Sequence, residues 1–277
     1  PIGNRRYTIK SLVKHFTSLP PAGLIPDKEQ TDMAKRLRTL GVVVAVIGLV
    51  FVIAGGVAYT RVQDGYGSLQ AFSEAQNVTL SYNEAGQLID RGTTEGADAI
   101  MVMLVEDWGY PVNEADLDPN DPLVNTASEY MYQMATIGFH VIHGNQTVVL
   151  TEGTEYNGES FAAGEYEVVV SEVGSEERLA AGLGGYWTDF DRMHPLEGPA
   201  RAQAWSGTAH GLFGELGVGT VTHSTLQMGL ALAGILVGLG LTLALVGGGL
   251  FWAGKARKDD EIPATAASIT GDPVAAN

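Results

Sequence analysis

Four oxygen-bearing side chains fall close together in the segment DLDPNDP: Asp116, Asp118, Asn120 and Asp121. Oxygen ligands alternating along a loop suit calcium, a hard cation served by carboxylates and carbonyls. Asp116, Asp118 and Asp121 are therefore the metal candidates of this chain. The segment lacks both the glycine at the sharp turn and the closing glutamate of a helix-loop-helix calcium site, and Pro119 and Pro122 restrict its backbone. The simpler expectation is a solvated acidic loop just ahead of a helix N-terminus, where negative charge suits the helix dipole.

His140 and His143 are three residues apart and would share a face only on a helix. The β-branched residues around them read as a strand, which turns them to opposite sides. His194, His210 and His223 are scattered, and transition-metal sites need several converging ligands, so each histidine is expected to be structural. His223 differs in lying five residues before a long apolar run, where a group titrating near neutrality could sense pH or serve a proton path in a partner complex. The chain holds no G-x-S-x-G elbow, no H-E-x-x-H and no G-x-x-x-x-G-K-[ST]. Ser206 lies four residues before His210, a spacing common by chance. The carboxylates are too numerous to single out a catalytic pair, and no cofactor is implied.

The elements that must position these residues are dominated by two apolar runs. Residues 40–59 read LGVVVAVIGLVFVIAGGVAY and follow Lys35, Arg36 and Arg38; residues 228–254 read MGLALAGILVGLGLTLALVGGGLFWAG and lead into Lys255, Arg257 and Lys258. Both are uncharged and meet the roughly 20 residues that ~30 Å of hydrocarbon demands of a helix. Basic flanks stay cytoplasmic. The expected fold is a membrane protein with two transmembrane α-helices flanking an α+β extracytoplasmic domain. Its segments are a cytoplasmic basic stretch (1–39), a first span (40–60), an acidic outer domain (61–225), a second span (226–254) and a disordered cytoplasmic tail (255–277). Tyr59 and Trp252 are placed as interface anchors.

Charge follows the same division. Residues 1–39 hold eight Lys/Arg against three acids, whereas residues 61–225 hold 25 acids against five arginines, a net −20. Such a domain repels nucleic acid and anionic headgroups, which bind through cationic neutralisation. With no cysteine, the outer domain relies on packing and offers neither thiol nucleophile nor thiolate ligand.

In residues 7–16, Ile9, Leu12, Val13 and Phe16 make one amphipathic face suited to an anionic inner leaflet. Met33-Ala-Lys-Arg-Leu-Arg competes with that reading, because it opens a basic n-region as a natural start would. Small residues at 56–58 raise a signal-peptide cut, but the run of about 20 apolar residues exceeds an h-region and favours an uncleaved anchor.

Further on, residues 77–89 are expected to form a strand, a turn at 83–86 and a second strand. Periodicity does not decide between helix and buried strand at 96–109. Thr126 and Glu129 fit a capping box, with Ala127, Tyr130, Met131, Met134 and Ile137 on the buried face and Gly138 as the stop. Residues 140–170 read as β, with a hairpin at Asn157-Gly158. From Glu197, Trp205, Ala209, Leu212, Phe213 and Leu216 recur at helical spacing towards the second run. In that run Gly234 and Gly238 form a small-xxx-small face that lets a helix approach closely in lipid. Neither run holds an ionisable residue, which argues against an autonomous ion pathway.

The stretches EDWGYPV and DLDPNDPLVNTASEYMYQMATIGFHVIHGNQTVVL, with the MAKRLRTLG start, resemble a group of uncharacterised actinobacterial two-span membrane proteins over roughly residues 33–255. Some of these are labelled aromatic ring-opening dioxygenases. Non-haem iron chemistry of that kind needs two histidines and a carboxylate on one face of the metal, and these residues assemble no such triad. The resemblance implies the two-span architecture and brings no activity with it. The leading expectation is a non-enzymatic accessory, assembly or docking subunit of a bacterial membrane complex, whose partners are membrane lipid and other integral membrane subunits. An extracytoplasmic sensor or ligand-binding module is the alternative, ahead of a surface hydrolase or metal-dependent enzyme.

Overall fold

The computed structural model describes residues 27–173 and 191–259. The amphipathic face at 9–16 and the tail beyond 259 lie outside them. Five α-helices occur among the described residues: α1 (Asp27–Gln76), α2 (Thr94–Val102), α3 (Ala127–His143), α4 (Glu197–Ala204) and α5 (Gly207–Asp259). Four short strands are β1 (Asn145–Leu150), β2 (Thr154–Tyr156), β3 (Glu159–Phe161) and β4 (Gly164–Val169). The chain divides into two compact units, residues 1–57 with 232–277, and residues 58–231. Thr31–Gln76 of α1 and Gly207–Lys255 of α5 are long and apolar enough to cross a membrane, by length and composition.

The first unit is a pair of helical segments joined along a glycine seam. Gly41, Gly48 and Gly55 recur every seven residues on α1, and Gly240, Gly247 and Gly254 do so on α5, the period that keeps one stripe of each helix facing the other. The approach is close enough to exclude side chains. A Cβ on Gly48 would stand 2.6 Å from Gly240 O and Ala244 N, and one on Gly240 would stand 2.6 Å from Gly48 O. Ala233 continues the stripe and is buried. Gly234 and Gly238 do not belong to it, since a Cβ at either meets nothing within 4 Å. The helical repeat explains the difference: at about 100° per residue, Gly234 is turned one step from Ala233 and Gly238 two steps from Gly240.

The second unit is the α+β part. Leu69, Leu80, Ile100, Leu104, Tyr130, Tyr132, Ala135 and Leu216 share its main core. Of residues 96–109, 96–107 resolve as helix: Thr93 caps α2, and a π-helical turn at Met103–Asp107 extends it. The expected strands at 77–89 reduce to single bridges, Thr79 to Leu123 and Tyr82 to Leu88. The turn between them is present, with the Asn83 carboxamide oxygen accepting from the N–H groups of Ala85 and Gln87. Thr126 and Glu129 close the capping box of α3 from both sides.

Two expectations need correcting here. Gly138 does not stop α3, which continues to His143, and residues 140–143 are helix rather than strand. Gly138 is instead a contact glycine: a Cβ there would press on Phe213 and Trp108 at 3.2–3.3 Å, so its signal concerns packing and not termination. The strands begin only at Asn145. β1 pairs antiparallel with β4, Asn145 opposite Val169 and Leu150 opposite Gly164, and the β2–β3 hairpin is nested between them. Asn157 and Gly158 make its turn with φ of 47° and 86°, the conformation Asn-Gly favours. Val148, Val168 and Val170 bury against Ala200 and Ala204 of α4 in a smaller second core. Trp205 ends α4, and the Ser206 hydroxyl accepts from the Ala209 N–H at the start of α5.

Candidate functional site

Within the second unit a cleft of about 400 Å³ is lined by Gln63, Tyr66, Gly67, Leu69 and Gln70 of α1, Asn125 ahead of α3, and His223 of α5. α1 brings its five residues together because 63, 66, 67 and 70 fall at helical spacing on one face, with 69 three residues on from 66. Asn125 is held beside them by the α3 cap, its backbone N–H donating to the Glu129 carboxylate at 3.0 Å. His223 is buried, 8% exposed.

The bonding of His223 decides its protonation. Its Nδ1 accepts the backbone N–H of Ala127 at 3.1 Å, so that nitrogen carries no proton and the neutral ring has its N–H on Nε2. The Tyr66 ring meets it edge-on at 5.8 Å. Burial holds the imidazole below its ordinary pKa, an effect the Asp116 carboxylate partly opposes. Burial likewise raises the Tyr66 phenol. The cleft is thus lined by amides, a phenol and a neutral imidazole, with no charged side chain on its wall.

Other polar groups close on one another. His194 Nδ1 accepts from Leu196 N–H at 3.2 Å and Glu197 N–H at 3.1 Å, capping α4. Glu197 and Arg201, one turn apart on α4, form an ion pair at 3.1 Å with side chains 2% and 0% exposed. Tyr156 donates to the Asp191 carboxylate at 2.5 Å, which holds that acid below its ordinary range. His140 and His143 share α3, yet they do not converge. His140 Nε2 is 2.9 Å from the Asp90 carboxylate, and His143 Nδ1 is 2.9 Å from the carbonyl of Phe139. His210 Nδ1 lies against the carbonyl of Ser206, not its hydroxyl. That pair is a helix-start arrangement.

The acidic loop turns on itself. Asp118 accepts from both the backbone and side-chain N–H groups of Asn120, at 2.8 and 2.9 Å, which lowers its pKa. Asp116 accepts from the Asn113 carboxamide at 2.7 Å. Among the described residues no three His, Asp or Glu side chains gather where a metal ion could be held.

Sequence reasoning missed the His223–Ala127 bond, the His194 cap and the Glu197–Arg201 pair. Only the last had a signal, an acid and a base at i, i+4. No protein-family model matches the chain, and neither the curated proteins nor the solved structures yield a match.

Proposed function

We propose that this chain is an integral membrane protein with spans at 40–60 and 226–254, both termini cytoplasmic and residues 61–225 outside. In our reading it is a non-enzymatic accessory, assembly or docking subunit of a bacterial membrane complex. Three observations support the membrane assignment. The most apolar windows of the two helices are only 17% and 11% buried, whereas a core helix of a water-soluble domain is mostly covered. Large apolar side chains such as Leu49, Val50, Ile53, Ile235 and Leu245 are exposed on them, which water penalises and lipid does not. Basic residues flank each run on its outer side in sequence.

The docking role rests chiefly on one observation. The helix pair uses Gly41, Gly48, Gly55, Gly240 and Gly247 for its own seam and leaves the Gly234/Gly238 face of α5 open. A small-xxx-small face in lipid favours close approach by another helix. The accessory reading is further supported by the described histidines, which engage helix starts, a carboxylate and main-chain carbonyls.

Native purification in mild detergent with mass spectrometry tests it. Co-migration with a membrane partner is expected, and Gly234→Leu with Gly238→Leu should reduce it while insertion persists, because leucine is well tolerated by lipid. A chain that always migrates alone overturns the reading. Cysteines introduced at Asn157 and Ser268 should be labelled and protected, respectively, by an impermeant thiol reagent on whole cells; the reverse pattern overturns the orientation.

A further inference from the structure

We propose that the cleft beside His223 binds a neutral, hydroxyl-rich ring, a sugar or cyclitol, presented either free or as the headgroup of a lipid. This goes beyond the docking role, which concerns a different surface.

The polar side chains lining the cleft have bonding capacity left over. His223 Nδ1 is committed to Ala127, which fixes Nε2–H as a donor, and His223 is among the residues lining the cleft. Gln70 gives its NH2 group to Glu74 at 3.1 Å, leaving its carbonyl oxygen as an acceptor. Gln63 and Tyr66 line the same cleft, and a carboxamide and a phenol each both donate and accept. A ligand able to satisfy such mixed partners must itself carry groups that donate and accept together, which hydroxyls do. Leu69, a core side chain, is the aliphatic residue among those lining the cleft.

Charge narrows the class. The wall carries no cation, the Asp116 carboxylate acts on His223, and residues 61–225 are strongly acidic. A phosphate or carboxylate would enter an unfavourable potential without a partner. A metal ion or ammonium group would face a fixed N–H donor and no carboxylate on the wall. The volume, about 400 Å³, lies low in the range of roughly 300–1,000 Å³ for small-molecule sites and suits a single ring. In sequence, Gln63 follows the apolar run ending at residue 59, and His223 precedes the run beginning at 228, each by about one helical turn. If those runs span the membrane, the cleft residues belong to the headgroup level.

Full-length protein in nanodiscs is titrated with methyl α-glucoside and with myo-inositol, read by ligand-observed NMR and by calorimetry. In a second arm, the disc lipid is replaced stepwise by a glucosyl-diacylglycerol. The glucoside or inositol saturating in the first arm identifies a free ligand; a response confined to the second identifies a headgroup. Either is expected to weaken by about two- to tenfold in each of Gln63→Ala and Tyr66→Phe, the worth of one hydrogen bond. Gln63 is exposed and Tyr66 half-buried, and the melting transitions of both variants check the fold. The proposal is overturned if neither arm saturates, or if folded variants bind as the parent does. Because the glucoside arm needs no partner subunit, its failure is separable from failure of the docking role.

Discussion

The backbone N–H of Ala127 donates to Nδ1 of His223 at 3.1 Å, across 96 positions of sequence. Ala127 is the first residue of α3, where N–H groups have no intrahelical acceptor. His223 therefore joins a capped helix start, in which Thr126 Oγ1 accepts the Glu129 N–H and the Glu129 carboxylate accepts the N–H groups of Asn125 and Thr126. Replacing His223 by Ala leaves a buried donor without an acceptor and should cost about 1–3 kcal/mol. His223→Gln, which retains an acceptor, should cost less. Denaturant midpoints of the detergent-solubilised chain measure both.

The same bond gives a pH dependence. The folded imidazole is held below its ordinary value of 6.5 because burial penalises the charged ring, and protonation at Nδ1 would in addition cost the Ala127 bond. The unfolded chain takes up that proton first. Stability from this group is thus intact above pH 6.5 and is lost as pH falls from there through the folded value. Around the ring, the Asp116 carboxylate favours the proton and Tyr66 is neutral. Glu129, raised by burial, acts in the opposite sense but is common to parent and variant. His223→Gln should therefore flatten the fall in stability between pH 7.5 and 5.5. An unchanged difference between the two proteins across that interval would remove His223 from the dependence.

The glycine seam yields a contrast between two positions on one helix. Gly240→Leu drives a side chain into backbone atoms that would lie 2.6 Å from its Cβ, while Gly234→Leu meets nothing within 4 Å. The first substitution should lower the melting transition of the isolated chain in detergent by several degrees; the second should leave it within a degree or so, surface changes being worth about 0.5 kcal/mol or less. Equal effects would mean that the seam is not the contact holding the helices together.

Glu197 and Arg201 are buried together on α4. Arg201→Met alone removes the cation paired with a buried carboxylate, which keeps the Asp191 N–H among its donors, and should cost up to about 3–5 kcal/mol. The double replacement Glu197→Leu with Arg201→Met should recover much of that loss, since a buried pair is often matched by apolar side chains of similar volume. Urea unfolding of the four proteins gives the coupling directly.

The acidic loop should respond to ions without selectivity. Asp118 and Asp116 already hold N–H donors of Asn120 and Asn113, and a strongly acidic domain is relieved by any counterion. Calcium should raise the melting transition only as far as magnesium or monovalent salt of equal ionic strength. A calcium-selective rise, abolished in Asp118→Asn with Asp121→Asn, would restore the loop as a metal site.

Local signals in the sequence were sufficient for the two apolar helices, the Thr126–Glu129 capping box and the Asn157-Gly158 turn, because each depends on residues within about one turn of one another. They failed at 140–143: β-branched residues there resemble a strand, and only packing of α3 into the core decides that the helix runs on to His143. The glycines show the same limit. Their abundance was plain from composition, but whether Gly234 or Gly240 meets the other helix depends on which stripe of α5 turns towards α1, a rotation that no single segment specifies. The cleft was invisible for the same reason. Gln63, Tyr66, Asn125 and His223 are unremarkable side chains far apart in the chain, and they acquire a common purpose only where α1, the start of α3 and α5 converge.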